Sequence, residues 1–184
     1  MKLKIPNIKI TLLLLLSLMN GATLLFAQSE ELLFIDQNYP NKLSIISSVP
    51  ISVKVVELNG QTNLWNQLIA ELETNNAVKS IHLFAETKAD EIILSQESIY
   101  IETRLSAKQI EGFSKANFTT NEIDFLVYSC TLAVNNNGKA LLENIAQQTR
   151  FNVASCKSCE QLDSSEFEFD FSTADKVVNN NLFK

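Results

Sequence analysis

From residue 31 onward, short apolar runs alternate with amphipathic stretches. ELLFID (31–36), VKVVEL (53–58), VKSIHLFA (78–85), EIDFLVYSC (122–130) and FNVAS (151–155) are too apolar to be half-exposed. Such runs predict buried strands. Between them, QTNLWNQLIAELETNN sets Leu64, Trp65, Leu68, Ile69 and Leu72 at helical spacing behind a Thr62 or Asn63 N-cap. NGKALLENIAQQT does the same with Leu141, Leu142, Ile145 and Ala146. Both predict helices, and the spacing makes Trp65 a core residue. LSAKQIEGFSKA predicts a further helix and KLSIISS a single helical turn. EIILS and SIYIE pair as a hairpin around Gln96-Glu97. FEFDF (167–171) alternates strictly and predicts a half-exposed strand, and KVVNNNLFK a frayed end. Repeated strand–helix–strand order predicts an α/β fold. Its sheet is mostly parallel, with helices on both faces and a small β-hairpin insertion.

Length and composition allow one domain. The chain has 184 residues, 46% of them apolar, enough for one sizeable core. We divide it into a leader (1–27), a single α/β domain (28–172) and a C-terminal tail (173–184). The net charge is −6 and no Lys/Arg stripe occurs, which argues against nucleic acid as a partner.

The leader changes the charge. MKLKIPNIK carries Lys2, Lys4 and Lys9, and ITLLLLLSLMNGATLLFA then runs 18 residues without a charge. A basic start, an apolar middle and a small final residue predict a secretory signal peptide, cleaved between Ala27 and Gln28. Leu25 departs from the small-residue rule before the cleavage site. The rival reading is an uncleaved anchor, against which Asn20-Gly21 interrupts the run. No cysteine follows the run to carry a lipid. Cleavage takes the net charge from −6 to −9 by removing three lysines. The expectation is an acidic protein, secreted, periplasmic or at the cell surface, with no membrane association after cleavage.

In a parallel α/β sheet, chemistry gathers beyond the C-terminal ends of the strands. Those ends carry Asp36, Glu86-Thr87, Ser129-Cys130, and Cys156 with Cys159. Asp36 is placed to cap the turn that follows it. The run LLFID, then IHLFA, the hairpin DEIILSQESIYIE, FLVYSC, NGKALLENIAQQT and FNVAS together resemble a family of bacterial domains of unknown function. These domains occur near the N-termini of large secreted surface proteins with cadherin-like repeats. They in turn resemble the caspase-like, gingipain-type cysteine peptidases. The resemblance covers about residues 31–160 and implies a caspase-like fold. It puts Cys130 at the nucleophile position, Glu86 where the catalytic histidine is expected and Thr87 where a glycine is expected.

Those two departures remove the means of catalysis. A cysteine nucleophile acts as thiolate, which an imidazole generates and stabilises. An anionic carboxylate beside the thiol disfavours the thiolate. Threonine in place of glycine alters the loop whose backbone N–H would hold an oxyanion. The only histidine, His82, lies four residues earlier on the same strand and reads as a core histidine with a satisfied ring. Glu86, Thr87 and Cys130 are therefore vestigial positions, and no catalytic residue is expected.

The three cysteines admit several arrangements. Cys156-Lys-Ser-Cys159 can close a local disulfide, leaving Cys130 as a thiol, and this is the pairing we expect. Cys130 can instead bridge to Cys156, since both follow parallel strands. A redox CxxC normally opens a helix, and little helix follows Cys159. Three cysteines and a distant histidine match no zinc spacing. The expected protein is a pseudo-peptidase with no metal or cofactor, serving an unknown protein or surface partner. The alternatives are a cysteine hydrolase using Cys130 and a thiol redox protein using Cys156 and Cys159.

Overall fold

The computed structural model describes residues 29–119, 123–157, 159–174, 176, 178 and 180–184. The leader and its Ala27–Gln28 cleavage site lie outside these residues. Six strands form the main sheet: β1 (Glu31–Asp36), β2 (Lys54–Leu58), β3 (Ser80–Phe84), β7 (Asp124–Val127), β8 (Asn152–Ser155) and β9 (Phe171–Ser172). Their order is β2-β1-β3-β7-β8-β9. All neighbours are parallel except β8 and β9. A second, antiparallel sheet joins β4 (Glu86–Thr87), β5 (Glu91–Leu94) and β6 (Glu97–Tyr100). Among the described residues four α-helices connect the strands: α1 (Lys42–Ser48), α2 (Leu64–Thr74), α3 (Ala107–Thr119) and α4 (Asn136–Thr149). The layout is flavodoxin-like, and it has the mostly parallel sheet, the helices and the hairpin insertion that the sequence pattern predicts.

The strand order explains which face each helix covers. From β1 the chain steps one way to β2; it then steps back over β1 to β3 and onward to β7 and β8. Crossovers between parallel strands are right-handed, so reversing the step reverses the face. Hence α1 covers one face, and α2, α3 and α4 cover the other. The two cores obey this division. Leu32, Phe34, Ile81, Leu83, Phe125 and Val153 face the three helices through Trp65, Leu68, Phe113, Leu141 and Ile145. Leu33, Ile35, Phe84, Leu126, Tyr128 and Ala154 face the other way, toward Ile45 of α1.

One seven-residue helix cannot cover that second face, and the C-terminal strap completes the cover. Phe167, Phe169, Val178 and Leu182 are all buried there. Phe167 stacks on Tyr128 with ring centroids 5.0 Å apart, and Phe183 packs edge-on against Phe84 at 5.9 Å. The expected frayed tail is thus a packed element. FEFDF also departs from expectation. Only Phe171 belongs to a strand, and Phe169 makes an isolated bridge to Val178. Alternation puts Phe167 and Phe169 on one side, but they bury against Tyr128 instead of extending the sheet.

Candidate functional site

Two loop clusters lie beyond the C-terminal ends of the strands. The first joins the ends of β3 and β7. Thr87 Oγ1 lies 2.8 Å from Ser129 Oγ and 3.0 Å from Thr131 Oγ1, so the loops that follow β3 and β7 adjoin. Ser129 Oγ also accepts the backbone N–H groups of Thr131 at 3.1 Å and Leu132 at 3.0 Å. The polar turn expected at Glu86-Thr87 is in fact strand β4, in register with Ile93 and Ile92 of β5. Pairing extends the apolar hairpin by one ladder, which local polarity alone did not reveal. Glu86 is exposed.

This cluster is held rigidly from the α4 side. Asn135 caps α4, its Oδ1 accepting Gly138 N–H at 3.0 Å. Its Nδ2 donates to Ala89 O at 2.8 Å, which ties the β4–β5 turn to the loop after β7. Gly138 is required by close approach: a Cβ there would lie 1.9 Å from Leu132 O and 2.5 Å from Ala89 O. The helix start therefore presses directly on both loops.

The cysteines pair differently from either sequence-based arrangement. Cys130 is disulfide-bonded to Cys159, with Cα atoms 5.2 Å apart. The expected Cys156–Cys159 bridge is absent, and Cys130–Cys156 is not formed either. The reason is direction. Cys156 immediately follows β8 and turns into the second core, where it is buried. Cys159 has left the strand line and comes back over the end of β7. Cys130 thus carries no thiol.

His82 is a core residue, as expected, with no exposed surface. Burial lowers its pKa to about 3, so the ring is neutral. Its Nδ1 lies 3.3 Å from the Tyr128 hydroxyl. The ring is only half satisfied, however, because Nε2 has no hydrogen-bond partner among the described residues. It lies within β3, four residues before Glu86 and fully buried, so it supplies no substitute base there.

The second cluster centres on Asp36, at the end of β1. Its Oδ1 accepts Asn38 N–H at 2.8 Å, the expected capping bond. The carboxylate also accepts Ser95 N–H at 2.7 Å and the Ser95 hydroxyl at 2.7 Å. Asp36 therefore latches the main sheet to the β5–β6 turn. Beside it, Glu97 Oε1 accepts Leu64 N–H at 2.6 Å and so closes the start of α2, whose N-cap is Asn63. Asp36, Leu58, Gln61, Asn63, Ser95 and Gln96 are among the walls of a cleft of about 210 Å³. Ser95 and Glu97 were legible in sequence only as hairpin-turn residues. A strand-ending aspartate followed by a long return to a hairpin is the signal that points to them.

Among the described residues no group of histidine, cysteine and carboxylate side chains could hold a metal ion. No helix among them is long and apolar enough to cross a membrane.

A family model described as "Domain of unknown function (DUF4347)" matches residues 32–161, and the chain belongs to that family. No curated protein and no solved structure matches it. The matched segment contains both loop clusters and the Cys130–Cys159 bridge, and ends before the strap.

Proposed function

We propose that this member of a family without an assigned activity is a secreted, non-catalytic module of caspase-like ancestry that works by binding at the cell surface. The observation that carries the reading is the state of Cys130. At the position the resemblance gives to the nucleophile, the sulfur is bonded to Cys159. A disulfide sulfur cannot serve as a thiolate nucleophile. Glu86 offers no imidazole, and Thr87 is built into β4. The antiparallel sheet following β3 fits the hairpin on which the resemblance rests. The cleft between Asp36, Ser95 and the start of α2 lies where open α/β sheets seat ligands. Its acidic and amide walls suit a polar, uncharged or cationic group on a protein or surface glycan.

Hydrolysis of a mixed peptide library tests the reading. The mature protein is assayed beside Cys130→Ala and a triple variant, Glu86→His with Thr87→Gly and Cys159→Ser. The parent should be inactive, and activity gained in the triple variant identifies a degenerate enzyme. Parental cleavage that disappears in Cys130→Ala would overturn the proposal.

A further inference from the structure

The second face holds a histidine deep in its interior, and that side chain is wired to the strap. The Tyr128 hydroxyl oxygen accepts Leu182 N–H at 3.0 Å while lying 3.3 Å from His82 Nδ1. Neutral imidazole has one donor and one acceptor. In the tautomer that gives the buried hydroxyl an acceptor, its proton goes to Nδ1 and the ring proton sits on Nε2. The strap follows β3 across this site. Asn180 Nδ2 donates to Ser80 Oγ at 2.5 Å, Leu182 meets Tyr128, and Phe183 packs on Phe84. Residues 180–183 therefore span the stretch of β3 that contains His82.

We propose that His82 is an acid-sensitive latch: proton uptake at Nδ1 breaks its bond with Tyr128 and releases strap residues 180–184 while the helix-covered face stays folded. A proton on Nδ1 meets the proton of the Tyr128 hydroxyl. The hydroxyl must then receive two donors and find a new acceptor for its own hydrogen. Nε2–H lacks a partner already in the neutral ring, and a positive charge placed on that ring in an apolar interior makes it far more costly. Water can reach the ring by either of two routes. Parting the sheet breaks ladders to Leu33 of β1 and Leu126 of β7, which flank His82 in register. Lifting the strap breaks fewer bonds, since it lacks a continuous ladder, and such segments open locally first.

Among the described residues no carboxylate forms an ion pair with the ring, and burial alone sets its shift. From β1, Glu31 acts on the Tyr128 hydroxyl. From β7, Asp124 is paired with Lys176 of the strap at 2.8 Å. Near α1, Asp163 acts on Tyr39. On the strap, Lys184 ends the chain beyond Phe183. Burial is the cause of the lowered His82 pKa. The sign follows from linkage. The closed state holds the ring near pH 3, whereas an open, hydrated ring titrates near about 6.5. Closure is thus fully favoured above about pH 6.5, and the open population should rise about tenfold per pH unit below it, levelling near pH 3.

The test is amide exchange of peptides covering the strap between pH 7 and 4.5, corrected for intrinsic rates. Trp65 fluorescence reports the opposite face. The expected result is strap exchange rising about tenfold per unit with Trp65 unchanged, and a nearly flat profile in His82→Gln. Equal strap opening in His82→Gln, or simultaneous loss of both faces, would overturn the proposal. Should that variant not fold, the wild type still decides, because it has a single histidine. Its ring resonances should stay neutral at pH 5 in the closed form. Titration near pH 6.5 in the closed form would contradict the latch.

Discussion

Trp65 and Tyr128 lie on opposite faces of one sheet, and different kinds of structure hold them. Trp65 packs on Phe113 at 6.2 Å and Phe125 at 6.3 Å, beneath helices that satisfy their own backbone groups. Tyr128 is ringed by Phe84 at 4.1 Å, Phe167, Phe169 and Phe183. Its cover is a strap with little regular structure. There, side-chain amides satisfy the backbone. Asn181 Nδ2 donates to Ser164 O at 2.9 Å and Phe167 O at 3.1 Å, and its Oδ1 accepts Phe183 N–H at 3.1 Å. Both faces bury aromatic surface, but one lies under three helices and the other under one short helix and the strap. The strap face is the one that carries the disulfide, the buried histidine and the capacity to open on its own.

The contrast is broken most severely from the helix side. Phe125→Ala should cost about 3–5 kcal/mol, by lost burial and the cavity left behind. The loss should be global, with urea transitions by Trp65 fluorescence and by circular dichroism still coincident. Separate transitions would mean that the helix-covered face is not the common core. On the strap side, the Cys130→Ala, Cys159→Ala pair removes a cross-link spanning 29 residues. The expected loss is about 3–4 kcal/mol on the chain-entropy account. Thermal unfolding should show it, together with faster proteolysis within 159–184 than elsewhere. A smaller effect is expected where the two sheets meet. Asp36→Ala removes the acceptor for Asn38 and Ser95 and should cost about 2–3 kcal/mol. Chemical denaturation checks this, and exchange should rise in the β5–β6 turn and not in the strap.

Much of this contrast was legible in sequence. Helical spacing from Leu64 to Leu72 and from Leu141 to Ile145 identified one face, because repetitive structure leaves a repetitive pattern. Asn63 was readable as a cap for the same reason. The strap leaves no such pattern. Its asparagines look like solvated polar residues until their amides are seen closing backbone groups. Glu86-Thr87 reads as a turn, because two polar residues carry no strand signal without the partner ladder from Ile92 and Ile93. The disulfide was illegible for a third reason. Spacing brings Cys156 and Cys159 near in sequence, but bridging depends on where each leaves β8, and only Cys159 turns back to Cys130. Asp36 was read correctly as a cap; its second partner, Ser95, comes from 59 residues away.

The state of Cys130 is the point on which the non-catalytic reading stands. The most direct measurement is disulfide mapping of the protein. Thiols are blocked at neutral pH without reductant, first in the folded protein and then in denaturant to reach buried Cys156, and the protein is digested and sequenced by mass spectrometry. A linked Cys130–Cys159 peptide with the blocking group on Cys156 alone is the expected result. A blocked Cys130, modified rapidly while Cys156 and Cys159 are joined, would contradict it and return Cys130 to the role of nucleophile.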